Sequence, residues 1–153
     1  MTVRLDDVAR LVIERACERL ITDYARFVDF GNAARIAELF TPDGVWEGPG
    51  ARMEGQEAIR AGFWRREGVT RRVSRHVCTN VAIDVLGPSE ARGLSYLINY
   101  RHDRRDGDDP GAPAPAGPPK YVGEYHDRFV RTPDGWRFAE RVCTLAFLRP
   151  PSR

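Results

Sequence analysis

Asp29 and His76 are the two positions at which residue type and setting point to chemistry. Asp29 falls in the last turn of a long segment with helical periodicity. A carboxylate there meets the negative end of the helix macrodipole, at a cost of about 0.3–1 kcal/mol when exposed. Stability alone would select against it. His76 lies in a segment of period-two alternation, in phase with Cys78, while Val77, Thr79, Val81 and Ile83 share the opposite face. An ionisable ring among apolar strands points to a position facing a cavity, where imidazole can serve as general acid or base. The other histidines, His102 and His126, are dispersed, and nothing in the spacing of the three suggests a metal site. The sequence contains no G-x-S-x-G elbow, no G-x-x-x-x-G-K-[ST] or G-x-G-x-x-G loop, and no H-E-x-x-H helix. Chemistry without metal or cofactor is implied.

The elements that must position these residues are legible from periodicity. Leu5, Val8, Leu11, Val12, Leu20, Ile21, Tyr24, Phe27 and Val28 recur at steps of three and four, which predicts one long amphipathic helix ending near Phe30. Gly31 follows as a left-handed stop, and Asn32 can cap a shorter second helix through Phe40. Thr41-Pro42-Asp43-Gly44 reads as a turn, Val45-Trp46-Glu47 as a short strand, and 56–66 as a third helix with Ile59, Phe63 and Trp64 inward. Four long strands follow: one through 74–85, one from Glu90 to about His102, Tyr121–Val130 and Trp136–Leu148. They are expected to form an antiparallel meander. The Pro- and Gly-rich stretch 103–119 has no periodicity and is expected to be a flexible hairpin insertion, either a solvated loop, a lid or an oligomer contact.

Composition narrows the class. The 153 residues fit a single domain, and the net charge of +2, from 24 basic against 22 acidic residues, is too small to imply a nucleic-acid partner. All but one of the basic residues are arginines, Lys120 being the exception. Cys17, Cys78 and Cys143 are odd in number and widely spaced, as expected of a reduced compartment. No apolar run approaches the roughly 20 residues needed to span a bilayer, so a soluble cytoplasmic protein without a membrane partner is expected.

Three stretches carry a family resemblance. Tyr24–Asn32 with Leu39–Gly44, the run Arg75-His76-Val77-Cys78-Thr79-Asn80, and Asp134-Gly135-Trp136-Arg137-Phe138 resemble the SnoaL-like family of the nuclear transport factor 2-like superfamily, including its scytalone dehydratase-like and bile-acid dehydratase-like members. The resemblance covers about Leu5 to Leu148. It implies an α+β cone, with N-terminal helices packed on a strongly curved, mixed but mostly antiparallel sheet that encloses a pocket. It also implies a His–Asp pair, carried here by His76 and Asp29, in which the carboxylate orients the imidazole. Tyr24 matches a tyrosine that bonds the substrate oxygen, although five helical steps place it about 140° from Asp29. His102, or Tyr100 on the same strand face, falls near a second polar position. His126 and Arg141 match pocket residues, unless strand parity is opposite and Tyr125 and Asp127 face inward instead. Trp46 and Phe63 are expected in the pocket wall.

The family's fold hosts several reactions, so the residues must choose among them. A cofactor-independent lyase or isomerase is expected, dehydrating a hydrophobic hydroxy-carbonyl compound of polyketide- or steroid-like kind. Polyketide cyclisation and a ketosteroid-type double-bond shift need nearly the same groups. The rival reading is a non-catalytic binding or assembly module, with Asp29 and His76 apart or the pocket filled by Phe27, Trp46, Phe63 and Phe147. A third is an epoxide hydrolase using Asp29 with Glu124 or Glu140. Val77, Val81 and Ile83 on an outer sheet face lead to the expectation of an oligomer, and the resemblance implies a homodimer or homotrimer.

Overall fold

A computed structural model describes residues 5–151. Helix α1 spans Asp7–Asp29; Asp6 caps it by accepting a hydrogen bond from the Ala9 N–H at 2.7 Å, and Gly31, at φ 79°, turns the chain out of its end. The next helix is a 3-10 helix, Ala33–Leu39. Asn32 does not cap it through its side chain but donates to the Phe30 carbonyl. Strand β1 (Phe40–Gly48) and the short β2 (Ala51–Glu54) precede α2 (Gln56–Glu67). Strands β3 (Arg72–Val85), β4 (Glu90–Asp103), β5 (Tyr121–Thr132) and β6 (Gly135–Leu148) complete the chain. The sheet order is β2-β1-β6-β5-β4-β3, with β1 parallel to β6 and all other pairs antiparallel, so the expected meander is present in a mixed sheet that is not closed. Among the described residues no helix is long and apolar enough to cross a membrane.

Two departures from the expected elements have local causes. Thr41–Gly44 is not a turn between helix and strand but an irregular part of β1, where pairing with β6 skips from Phe40 to Val45. Pro42 cannot donate to a ladder, and the freed Gly44 carbonyl instead accepts from the Gly55 N–H at 2.8 Å, anchoring the approach to α2. The second departure is a bulge in β3. Pairing jumps from Thr79↔Tyr96 to Ala82↔Leu94, and Asn80 takes φ 51°, a conformation that Asn tolerates better than most side chains. The extra residue reverses the alternation. Ser74, His76 and Cys78 face the helices before the bulge, and Ile83 and Val85 pack on the core after it. Ile83, which strict alternation assigns to the outer face with Val77 and Val81, therefore lies inside, within reach of Gly93 and Phe129.

The core lies between α1, the 3-10 helix and the inner sheet face. Ile13, Cys17, Leu20, Ile21 and Val28 cover it from α1, and the rings of Phe40 and Phe129 each stand 5.1 Å from that of Phe138. Within this apolar setting sits an ion pair with no exposed side-chain surface: Arg141 donates to Asp127 from Nε at 2.8 Å and from Nη2 at 2.9 Å, directly across the β5–β6 ladder. The guanidinium is also stacked 3.7 Å from the Tyr125 ring centroid and 4.4 Å from that of Tyr24. Burial opposes the charge, but the carboxylate and its hydrogen bonds outweigh that and hold Arg141 above the ordinary arginine value. Asp127→Leu, which strands the guanidinium, is expected to lower unfolding free energy by about 3–5 kcal/mol in denaturant melts, and Asp127→Leu with Arg141→Met to recover most of that loss.

Candidate active site

A cavity of about 360 Å³ opens between the two α-helices and the inner face of the sheet. Its apolar wall comprises Val28, Trp46, Phe63, Leu145 and Leu148. Polar groups enter along β3 and β4, with Arg66 from α2 and tyrosine hydroxyls from α1 and β5. The ladder pairs Cys78 with Leu97, His76 with Asn99, Ser74 with Arg101 and Arg72 with Asp103, so the inner face grades from apolar to charged toward the insertion.

Asp29 and His76 meet. Asp29 Oδ1 lies 2.7 Å from His76 Nδ1 and accepts from Ser74 Oγ at 2.8 Å, while Oδ2 accepts from the His76 backbone N–H at 2.8 Å. Arg66 Nη2 in turn donates to Ser74 Oγ at 3.1 Å. The Ser74 hydroxyl and the His76 backbone N–H direct two donors at the carboxylate, which fits its ionised form, and an ionised carboxylate can only accept. Nδ1 therefore carries the proton in the neutral ring, and Nε2 is the basic nitrogen. The pair is sequestered, with side-chain exposures of 10% for His76 and 5% for Asp29, and His76 lines the cavity with Asp29 behind it.

This arrangement resolves the angular difficulty with Tyr24. Asp29 need not reach the cavity, because it turns toward the edge strand β3 while Tyr24 points at the sheet centre. The Tyr24 hydroxyl accepts the Trp46 indole N–H at 3.0 Å, which leaves its own proton for another acceptor. Burial pushes the Tyr24 and Tyr125 hydroxyls well above the usual phenol range, Tyr121 up to about 12 and the Cys143 thiol up to about 11. All four line the cavity as neutral groups at physiological pH.

The other expected pocket residues divide. Trp46 and Phe63 are in the wall, their rings 5.6 Å apart. Arg141 faces inward but lies beneath the cavity rather than in its lining, with Nε and Nη2 bonded to Asp127 and Nη1 buried without a partner among the described residues. His126 is on the outer face near Thr144 Oγ1, 3.2 Å away, and it is Tyr125 and Asp127 that point inward, the opposite parity to the one assigned. Tyr100 and His102 also stand apart from this cavity. They line a separate space of about 750 Å³ under the insertion, with Arg75, Arg104 and Arg149, and His102 faces Asp108 at 3.8 Å. Glu124 bonds Thr144 on the outer face, and neither it nor Glu140 borders the Asp29 site.

Sequence reasoning did not single out Asn99, Arg101, Arg66, Arg72, Ser74 or Tyr121. Asn99 is fully buried, borders the cavity, and neither atom of its amide has a hydrogen-bond partner among the described residues. The available signal was the phase of β4, since Leu97, Asn99 and Arg101 share a face opposite Tyr96, Tyr100 and His102. Among the described residues no cluster of His, Cys, Asp and Glu side chains is arranged to hold a metal ion.

No curated protein matches the sequence significantly. Solved structures share its fold. A protein of Novosphingobium aromaticivorans proposed to be a scytalone dehydratase superposes with a TM-score of 0.77 at 23% identity, over 93% of this chain and 89% of its own. An NTF2-like protein with a cystatin-like fold from the same organism gives a TM-score of 0.74 at 23% identity, over 91% and 85%. The type 2 hexachlorocyclohexane dehydrochlorinase LinA gives 0.75 at 15% identity, over 96% and 94%. At these identities the likeness shows the fold. Residues 9–142 match the SnoaL-like domain model, and on that match the chain belongs to the SnoaL-like family of the NTF2-like superfamily, which includes dehydratases and isomerases.

Proposed function

We propose that the protein is a cofactor-independent lyase that removes water from a hydrophobic β-hydroxy carbonyl compound, with His76 as the base. The observation that carries this reading is the 2.7 Å contact between His76 Nδ1 and Asp29 on a ring that borders an apolar cavity. Asp29 fixes the tautomer, and Nε2 takes the proton from the carbon next to the carbonyl. The C–H electron pair becomes the new C=C bond as the C–O bond breaks, and His76 returns the proton to the departing hydroxyl, leaving enone and water with the enzyme unchanged. Tyr24, whose proton is free, and the unpartnered Asn99 amide are the donors for the carbonyl oxygen as negative charge builds on it.

Two observations weigh against the rival readings. An assembly module has no use for a sequestered, oriented imidazole, and of the four rings that would fill the pocket Phe147 is 70% exposed and Phe27 packs under Arg35, while Trp46 and Phe63 wall a cavity that stays open. A carboxylate-driven epoxide hydrolase lacks its second carboxylate, since Glu124 and Glu140 lie elsewhere. Elimination is also the reaction class in the names of two structural relatives, a proposed dehydratase and a dehydrochlorinase.

Fused-ring β-hydroxy ketones are the substrates to screen, with enone absorbance as the readout. His76→Gln and Asp29→Asn are each expected to lower kcat by about 10²–10⁴ with little change in KM; wild-type turnover by His76→Gln would remove the base from the mechanism. The orientation of the ring has its own test. Long-range ¹H–¹⁵N correlation spectra should show neutral His76 protonated at Nδ1 in the wild type. In Asp29→Asn the amide oxygen can keep the His76 backbone N–H while its NH₂ turns toward Nδ1, so the proton is expected to move to Nε2.

A further inference from the structure

Three guanidinium groups, Arg66, Arg72 and Arg101, border the cavity at the end of the inner face nearest the insertion. The carboxylates near them are largely spoken for. Asp103 is bound to Arg72 by two hydrogen bonds at 2.7 and 2.9 Å, and Asp29 is occupied by Ser74 and His76. Arg66 donates only to the Ser74 hydroxyl, and Arg101 has no side-chain hydrogen bond among the described residues. Burial and the neighbouring guanidiniums push both Arg66 and Arg101 below the ordinary arginine value, the mark of partly desolvated positive charge without adequate compensation. An arrangement of this kind is unfavourable in the empty protein and is relieved by an anion.

We infer that Arg66 and Arg101 form an anion-binding subsite, so that the substrate is an apolar molecule carrying a carboxylate or phosphate group. Its position follows from the register. Ser74 and Arg101 are one inward step along the ladder from His76 and Asn99, two residues away on each strand. At about 3.4 Å per residue the backbone of Arg101 lies about 7 Å along the strand from that of Asn99, so the anionic group lies toward the insertion from the carbon at which His76 acts. The apolar remainder lies against Trp46, Phe63 and Leu145. Arg72 supports the subsite through its charge while remaining paired with Asp103. The subsite depends on the elimination reading only for the identity of the reacting carbon; anion binding stands without it.

The test is calorimetric titration with 2-naphthoate, 2-naphthyl phosphate and the neutral 2-naphthamide. At least one anion is expected to bind about tenfold or more tightly than the amide, a difference of about 1.4 kcal/mol. The preference should weaken as salt is raised and vanish in Arg66→Gln/Arg101→Gln. The single variants, which cover the case of a double variant that does not fold, should each remove part of it. The tighter of the two anions names the group. His76→Gln is expected to keep the preference, so loss of turnover in that variant reports on the lyase and retention of anion binding on the subsite. Equal affinity for amide and anions, a preference that survives in the arginine variants, or no binding of any probe overturns the proposal.

Discussion

The carboxylate of Asp29 is the constraint on which the site depends. A buried acceptor without donors would cost more than the helix end could supply, and β3 provides a backbone N–H, a hydroxyl and a ring nitrogen in the space of three residues. Those bonds fasten the end of α1 to the strand that carries His76. They also set the rotation of the helix. With Asp29 turned toward the edge of the sheet, Tyr24 is directed toward its centre, onto the face of Arg141 and within reach of Trp46. One anchored residue thus accounts for the placement of the His76 ring and of the Tyr24 hydroxyl across the cavity.

Beneath the cavity the Arg141–Asp127 pair does a different job. A guanidinium enclosed by Tyr24, Tyr125 and Phe138 and bonded twice to one carboxylate has little freedom to turn toward a ligand. It makes a rigid floor. This explains why Arg141, which faces inward, is not in the cavity lining, and why the charge facing the cavity comes from Arg66, Arg72 and Arg101 instead. Polar function here is divided between a buried pair bonded to itself, with Arg141 Nη1 left without a partner among the described residues, and a rim of groups that face the cavity.

The legibility of the fold follows the strength of each local signal. The long helix, α2 and the four long strands carry periodic apolar residues over ten or more positions, and their ends coincide with Gly, Pro and Asp that stop regular structure. Asp29 was legible because it violates a helix rule, and His76 because it interrupts an apolar strand. Strand parity was not legible. On β4 both faces carry apolar side chains, Leu97 and Ala91 on one, Tyr96 and Ile98 on the other, so alternation alone cannot say whether Asn99 and Arg101 or Tyr100 and His102 face the helices. The choice of His102 and His126 followed the family resemblance, and the pairing register with β3 and β6 decided otherwise. β2 is too short and too charged to announce itself, and the parity reversal in β3 hinges on a single asparagine.

That asparagine has a second effect. Among the described residues β3 is an outer strand of an open sheet, fourteen residues long and paired on one side only. A straight edge of that length would offer a template to any extended chain, including the same strand of another copy. The kink at Asn80 breaks the repeat of free N–H and C=O groups near its midpoint, so an incoming strand in register with one half is out of register with the other. The residue that returns Ile83 to the core therefore also limits how far a foreign strand can zip along the backbone that holds the catalytic candidate His76.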